Sequence, residues 1–231
     1  MKTLVVSDIH ANFEALRRLP EDVDEVFCLG DVVDYGPDPR PCIDWLKERR
    51  AVIVRGNHDN AVATGAWCGC ADLFREASAA TREQMWTVLE QSDLDYLDSF
   101  PFEEEVSRDG VKFFLVHATP SHPLHPYVRP EETRRWEDEV ARVDADVLLV
   151  GHTHLPMILR FGRKLVVNPG SVGQPRDGDP RASFAIIEDG EPRVERVSYD
   201  IEATVRGLER AELPERVVRQ LSRVLRTGGG A

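Results

Sequence analysis

Five short apolar runs in this chain end in the same kind of residue: "LVVSDIH", "VFCLGDVVD", "VIVRGNHD", "FFLVHATP" and "LLVGHTH". Runs of this length rich in Val, Ile, Leu and Phe are strand signals, and here each gives way to histidine, aspartate or asparagine. Of the 7 histidines, His10, His58, His117, His152 and His154 fall in these endings, accompanied by Asp8, Asp31, Asp34, Asn57 and Asp59. Residues two apart on an extended backbone share a side, so Asp8 with His10, and His152 with His154, are each expected to converge on one spot. Gly30, Gly56 and Gly151 suit sharp turns where a strand gives way to a ligand-bearing loop. A lone histidine at a strand end is ordinarily a hydrogen-bonded structural residue. A buried group of carboxylates is different, because it repels itself and desolvates unfavourably unless divalent cations neutralise it.

The runs alternate with helical patterns ("NFEALRRL", "PCIDWLKERR"), the rhythm of βα units and a largely parallel sheet whose carboxyl edge is where sites form. Residues 71–97 read as helical and are expected to cap a sheet face. "FEEEVSRDGVKFFLVH" reads as a hairpin turning at Asp109-Gly110. After a proline-rich loop and a charged helix over about 130–142 comes the strand "DVLLV". The segments around Gly162 and Asp189-Gly190 read as hairpins of a second sheet. With 231 residues, 42% of them hydrophobic, and neither an internal repeat nor a linker, the chain is expected to form one domain over 1–231, with a helical tail from about residue 201. The predicted class is α/β, a four-layer α/β/β/α sandwich of two mixed sheets with a dinuclear metal site at the strand ends.

The ordered set D-x-H, G-D-x-x-D, G-N-H-D, a single H and G-H-x-H resembles the calcineurin-like metallophosphoesterase superfamily, from Met1 to about Val197. That resemblance implies two divalent metal ions. Asp8, His10 and His154 would hold one, Asn57, His117 and His152 the other, and Asp31 would bridge both. It further implies that His58 faces the substrate and is held by Asp34, with Asn57 also on the substrate side. The reaction implied is phosphoester hydrolysis in which a metal-bridging hydroxide attacks phosphorus, with cations about 3.5–4 Å apart. Donors limited to nitrogen and oxygen suit Mn, Fe, Zn, Ni or Co, with manganese the first expectation.

Two departures narrow the branch. Tyr35 stands where the superfamily's protein phosphatases carry arginine, and Asp59 where they carry glutamate. The small prokaryotic phosphodiesterases fit better than protein phosphatases or dinucleoside polyphosphate hydrolases, and a small phosphoester is the expected substrate. A different class of reading is a metal-binding scaffold of the same fold, like the vacuolar protein-sorting subunit that resembles these enzymes. Every expected ligand and His58 are present here, which favours the enzyme.

Around these motifs the sequence is less specific. "NPGSVGQPRDGDPRASF" resembles the segment that follows G-H-x-H in the small phosphodiesterases, and Arg176 or Arg181 is a candidate for a forked contact with substrate phosphate. Ser171 lies in no nucleophile-elbow motif. Asn12 suits either a hydrogen bond near the metals or a helix cap. His122 and His125 are expected on an exposed loop beside the cleft. Cys28, Cys42, Cys68 and Cys70 lack paired C-x-x-C spacing and read as inert thiols. A net charge of -12 argues against a nucleic-acid backbone as partner. No apolar stretch reaches the roughly 20 residues of a membrane span, and "MKTLVVSDIHANF" lacks the pattern of a cleaved signal, so the cytoplasm is expected.

Overall fold

The computed structural model describes residues 1–229. Its strands are β1 (Lys2–Val6), β2 (Glu25–Cys28), β3 (Val52–Ile53), β4 (Glu103–Arg108), β5 (Val111–Val116), β6 (Val147–Leu149), β7 (Met157–Phe161), β8 (Lys164–Asn168), β9 (Ala182–Glu188) and β10 (Glu191–Val197). The helices are α1 (Phe13–Leu16), α2 (Pro39–Glu48), α3 (Asn57–Thr64), α4 (Arg75–Val88), α5 (Gln91–Asp98), α6 (Thr133–Ala141), α7 (Ile201–Arg210) and α8 (Glu215–Thr227). Two five-stranded sheets run β10-β9-β1-β2-β3 and β4-β5-β6-β8-β7. Both are mixed. β1, β2 and β3 are parallel in the first, and β5, β6 and β8 in the second.

Period-two alternation explains the layering. On β1 and β2, Val5 and Phe27 point inward and meet Phe113, Leu115, Leu149 and Val167 of the other sheet. Their neighbours Leu4, Val6, Val26 and Cys28 point outward, beneath Leu16 of α1, Ile43 and Leu46 of α2 and Leu97 of α5. On the far side Phe114, Val116, Leu148 and Val166 lie under Trp136 and Val140 of α6. A strand buried on both faces must be apolar throughout, which is why these runs show no polar alternation. The result is the four-layer α/β/β/α sandwich.

Two expectations need correction. The β9–β10 hairpin extends the first sheet by pairing β9 antiparallel to β1, whereas β7–β8 belongs to the second sheet. With Ala182–Ile187 buried on both faces, nothing local told the two sheets apart. The helical segment 71–97 is broken at Leu89, which is extended, and restarts at Glu90, whose N–H donates to Asp93 Oδ2 (3.1 Å). The C-terminal helices, which begin at Ile201, pack onto the body of the molecule. Val205, Leu208, Val217, Leu221, Val224 and Leu225 pack with Tyr35, Phe74 and Ala77.

Candidate metal centre

All five motif-bearing strand ends open on one edge, because the parallel strands of both sheets run toward it. The backbone that carries the ligands is not extended. Asp8, His10, Asp31, Asp34, His152 and His154 have φ of 52°, 46°, 54°, 74°, 66° and 60°, a left-handed region that costs L-residues energy and clusters at functional sites. The expected strand-like convergence of Asp8 with His10, and of His152 with His154, is thus achieved by another backbone. Cross-loop hydrogen bonds hold it: the N–H groups of Asp8, His10 and Ala11 donate to the carbonyls of Gly30, Asp31 and Val32 at 3.0, 2.9 and 2.8 Å.

Two groups of buried side chains result, Asp8 with His10 and His154, and Asp31 with His117 and His152. In the first, His10 Nδ1 donates to the Val33 carbonyl (3.1 Å) and His154 Nδ1 to that of Gln174 (2.6 Å). Their Nε2 atoms then face each other at 3.3 Å, with Asp8 Oδ1 3.3 Å from His154 Nε2. In the second, His117 Nδ1 donates to the Leu29 carbonyl (2.7 Å), and Nε2 lies 3.2 Å from His152 Nδ1 and 3.0 Å from Asn57 Oδ1. Asn57 is oriented by its own amide, which donates to the Cys68 carbonyl (2.8 Å). Asp31 Oδ2 stands between the groups, 3.8 Å from His10 Nε2 and 3.3 Å from His117 Nε2.

The electrostatics follow from burial. Removal from water pulls His10 down to about 3 and holds His152 and His154 well below the usual imidazole range, so these rings present lone pairs. Burial pushes Asp8 up to about 7. Burial also opposes ionisation of Asp31, yet His117 and His58 facing it keep its carboxyl well below the ordinary value. Burial would depress His117 too, but Asp31 and then Asp8 outweigh it and raise the ring to about 9.

These donors fit a pair of divalent cations on structural grounds. Two imidazole lone pairs facing at 3.3 Å repel each other unless something positive lies between them. Asp8 Oδ1 is buried without a hydrogen-bond partner, a costly state for a carboxylate oxygen. Nitrogen and oxygen donors without thiolate suit first-row transition metals.

His58 lies beside this cluster. Its Nδ1 is 2.7 Å from Asp34 Oδ2, and its backbone N–H donates to Asp31 Oδ1 (2.8 Å). Burial disfavours the imidazolium, but Asp31 and then the Asp34 hydrogen bond raise His58 to about 9. Asn57 and His58 open helix α3, which the strand-end reading of "GNHD" did not anticipate; Gly56 precedes it as the cap.

Several residues outside the two groups brace the site. Asp59 accepts the N–H groups of Asp31, Val32 and Gly56 at 2.8, 2.8 and 3.0 Å. Ser171, no nucleophile, donates to the Asp8 carbonyl (2.7 Å) and accepts from Gln174 N (2.7 Å), so the glycine-proline loop positions both Asp8 and His154. Tyr35 packs against His10 and His58 with ring centroids 4.9 and 4.7 Å away. Asn12 caps α1 by accepting from Ala15 N, and its amide donates to the Gly173 carbonyl. Arg176 reaches over Phe74 toward the cluster, whereas Arg181 is tied to Asp179. His122 is exposed; His125, also exposed, lies 6.1 Å from the His152 ring. The four thiols are free and buried.

A sandwich whose strand ends gather two buried Asp/His groups around a shared carboxylate defines a metallophosphoesterase, a hydrolase. Residues 1–190 match the calcineurin-like phosphoesterase superfamily domain, and the chain belongs to that superfamily. It is 34% identical to an uncharacterised protein of Methanocaldococcus jannaschii, across 91% of this chain and 93% of that one. It is 27% identical to phosphodiesterase YfcE of Escherichia coli, across 81% and 88% of the two chains. A metallophosphoesterase structure from Sphaerobacter thermophilus superposes with a TM-score of 0.82 at 33% identity, covering 99% of both chains. These likenesses belong to the superfamily's small prokaryotic branch. Among the described residues no helix is long and apolar enough to cross a membrane.

Proposed function

We propose that this protein hydrolyses phosphodiesters, and phosphomonoesters as well, with two divalent ions, manganese first among them. Asp8, His10 and His154 would hold one ion, Asn57, His117 and His152 the other, with Asp31 shared. When bound, such a pair supplies Lewis acidity at the phosphoryl oxygens and lowers the pKa of coordinated water. The observation that carries the reading is the facing pair of His10 and His154 lone pairs beside the unpartnered Asp8 oxygen.

The chain's own groups supply the rest. His58, kept protonated by Asp31 and Asp34, presents Nε2 as a donor to the phosphoryl or leaving oxygen. Asp34 fixes the ring through Nδ1, and Ser78 donates to the same carboxylate (3.1 Å), so the imidazole cannot swing away. Asn57 and Arg176 would also face the substrate. Arg176 offers a planar fork suited to phosphate. Residues 1–231 would act as one domain, the C-terminal helices supporting Tyr35 behind His10 and His58. Presence of His58 beside a full donor set favours this reading over a scaffold of the same fold.

The deciding experiment is hydrolysis of bis(p-nitrophenyl) phosphate by manganese-reconstituted protein, with metal content measured in parallel. Turnover lost in the Asp31→Asn variant together with bound metal is the expected result. Two bound ions and no turnover on any phosphoester would turn the reading toward a scaffold.

A further inference from the structure

Beside the centre lies an open pocket of about 320 Å³ lined by Ala71, Tyr127, Arg129, Thr153, Leu155 and Arg176, at the small end of the roughly 300–1,000 Å³ typical of ligand sites. It adjoins both ligand groups. The Tyr127 ring stacks on His152 at 4.1 Å and 15°, Thr153 separates His152 from His154 in the chain, and Arg176 follows the Gln174 carbonyl that accepts from His154.

The charge of this lining is unusual for the chain. Asp and Glu outnumber Lys and Arg by 41 to 29, yet the pocket presents two guanidinium groups and no carboxylate. Nearby arginines are neutralised, Arg181 by Asp179 and Arg196 by Asp177. Arg176 instead bonds the Gln174 amide oxygen (2.5 Å) and covers the Phe74 ring, and its Nε is buried without a partner. Neither Arg176 nor Arg129 forms an ion pair among the described residues. Two divalent cations facing Asp8 and Asp31 would already leave positive charge in excess, so two further cations here are disfavoured until an anion enters.

We propose that this pocket is a subsite for a second phosphate, and that the preferred substrates carry a phosphate adjacent to the scissile one, as in a phosphoanhydride. The inference rests on the phosphoesterase reading above. A single phosphate is served at the metal groups by His58, Asn57 and Arg176. Arg129 joins the fold through its backbone, which bonds Glu132 and Trp136, while its exposed guanidinium has no partner among the described residues and engages only a substrate that extends into this pocket. The larger groove of about 820 Å³ along Pro101–Glu103 and His122–His125 carries no lysine or arginine, and its two histidines are offset by the Glu103 carboxylate.

Competition measures this directly. Inorganic phosphate and imidodiphosphate, whose P–N–P bridge resists hydrolysis, would be compared as inhibitors of bis(p-nitrophenyl) phosphate hydrolysis, with free manganese buffered. Imidodiphosphate is expected to bind roughly tenfold or more tightly than phosphate, and Arg129→Gln to reduce that ratio to about threefold or less. Arg134→Gln, exposed and outside the pocket, should retain it. A ratio near one in the unaltered protein, or an unchanged ratio in Arg129→Gln, overturns the proposal. If the diester is not hydrolysed the phosphoesterase reading fails, and calorimetric titration of the same two anions into manganese-loaded protein still measures the ratio.

Discussion

His58 and Asp8 answer different questions about the centre. His58 hydrogen-bonds no member of the donor set except Asp31, through its backbone N–H, and meets the His10 ring only edge-on at 5.2 Å, so removing its imidazole should spare the metals. His58→Ala is expected to lower turnover by roughly 10²–10⁴-fold, the usual worth of a positioned acid, with metal content unchanged by elemental analysis. Equal loss of both would make it a ligand. Asp8 reports on the metals through stability. Its folded-state pKa, about 7, lies above the ordinary carboxyl value of 3.8, so the folded protein holds a proton that the unfolded chain releases. The stability this contributes is fully present below about pH 4 and is lost as pH rises through 7. Cations that bind the ionised carboxylate reverse that loss. The gain in melting temperature on adding manganese should therefore be larger at pH 8 than at pH 5.5, by calorimetry of metal-free and loaded protein. Asp8, His10, Asp31, Asn57, His117, His152 and His154 are legible in the sequence as metal-competent residues at strand ends, and their grouping into a ligand set is what the family resemblance implies. Tyr127 and Arg129 are not legible in this way, since a tyrosine and an arginine in a proline-rich loop look like surface until the fold sets them beside His152.

At the scale of elements, the first turn of α3 and the end of β2 form one unit. Asp59 ties three N–H groups together, and Gly56 fits where a Cβ would come within 2.1 Å of Asp31 Oδ1 and 2.3 Å of Asp31 N. Gly56→Ala must displace the shared carboxylate. A destabilisation of about 1–3 kcal/mol, typical of overpacking, is expected by denaturant unfolding, together with loss of bound metal; full metal content would show that the strand end yields freely. The helix start at Asn57 was hidden because "GNHD" follows an apolar run directly, and a glycine cap carries no side-chain signal. The left-handed ligand backbone was hidden for a related reason. Aspartate and histidine tolerate positive φ better than most residues, but nothing in their spacing demands it; the cross-loop hydrogen bonds do.

Across the molecule, α7 and α8 close the wall behind Tyr35, and their packing links chain beyond the matched 1–190 region to the centre. Leu221, 1% exposed at the middle of that contact, should cost about 2–5 kcal/mol when cut to alanine. Because the wall supports Tyr35 against His10 and His58, Leu221→Ala is also expected to lower kcat at temperatures where the protein remains folded. An unchanged kcat would confine these helices to stability. Strand-forming runs, their double-sided burial and the order of metal-competent residues were all determined by the sequence, because side-chain chemistry and short-range periodicity are local properties. Which sheet received the β9–β10 hairpin, how Asp8 and His152 came to face one another, and which arginines were left unpaired beside them were decided only in three dimensions. Those outcomes depend on contacts between segments more than a hundred residues apart, where energies of packing and of charge separation, invisible in any one window of sequence, choose among locally equivalent arrangements.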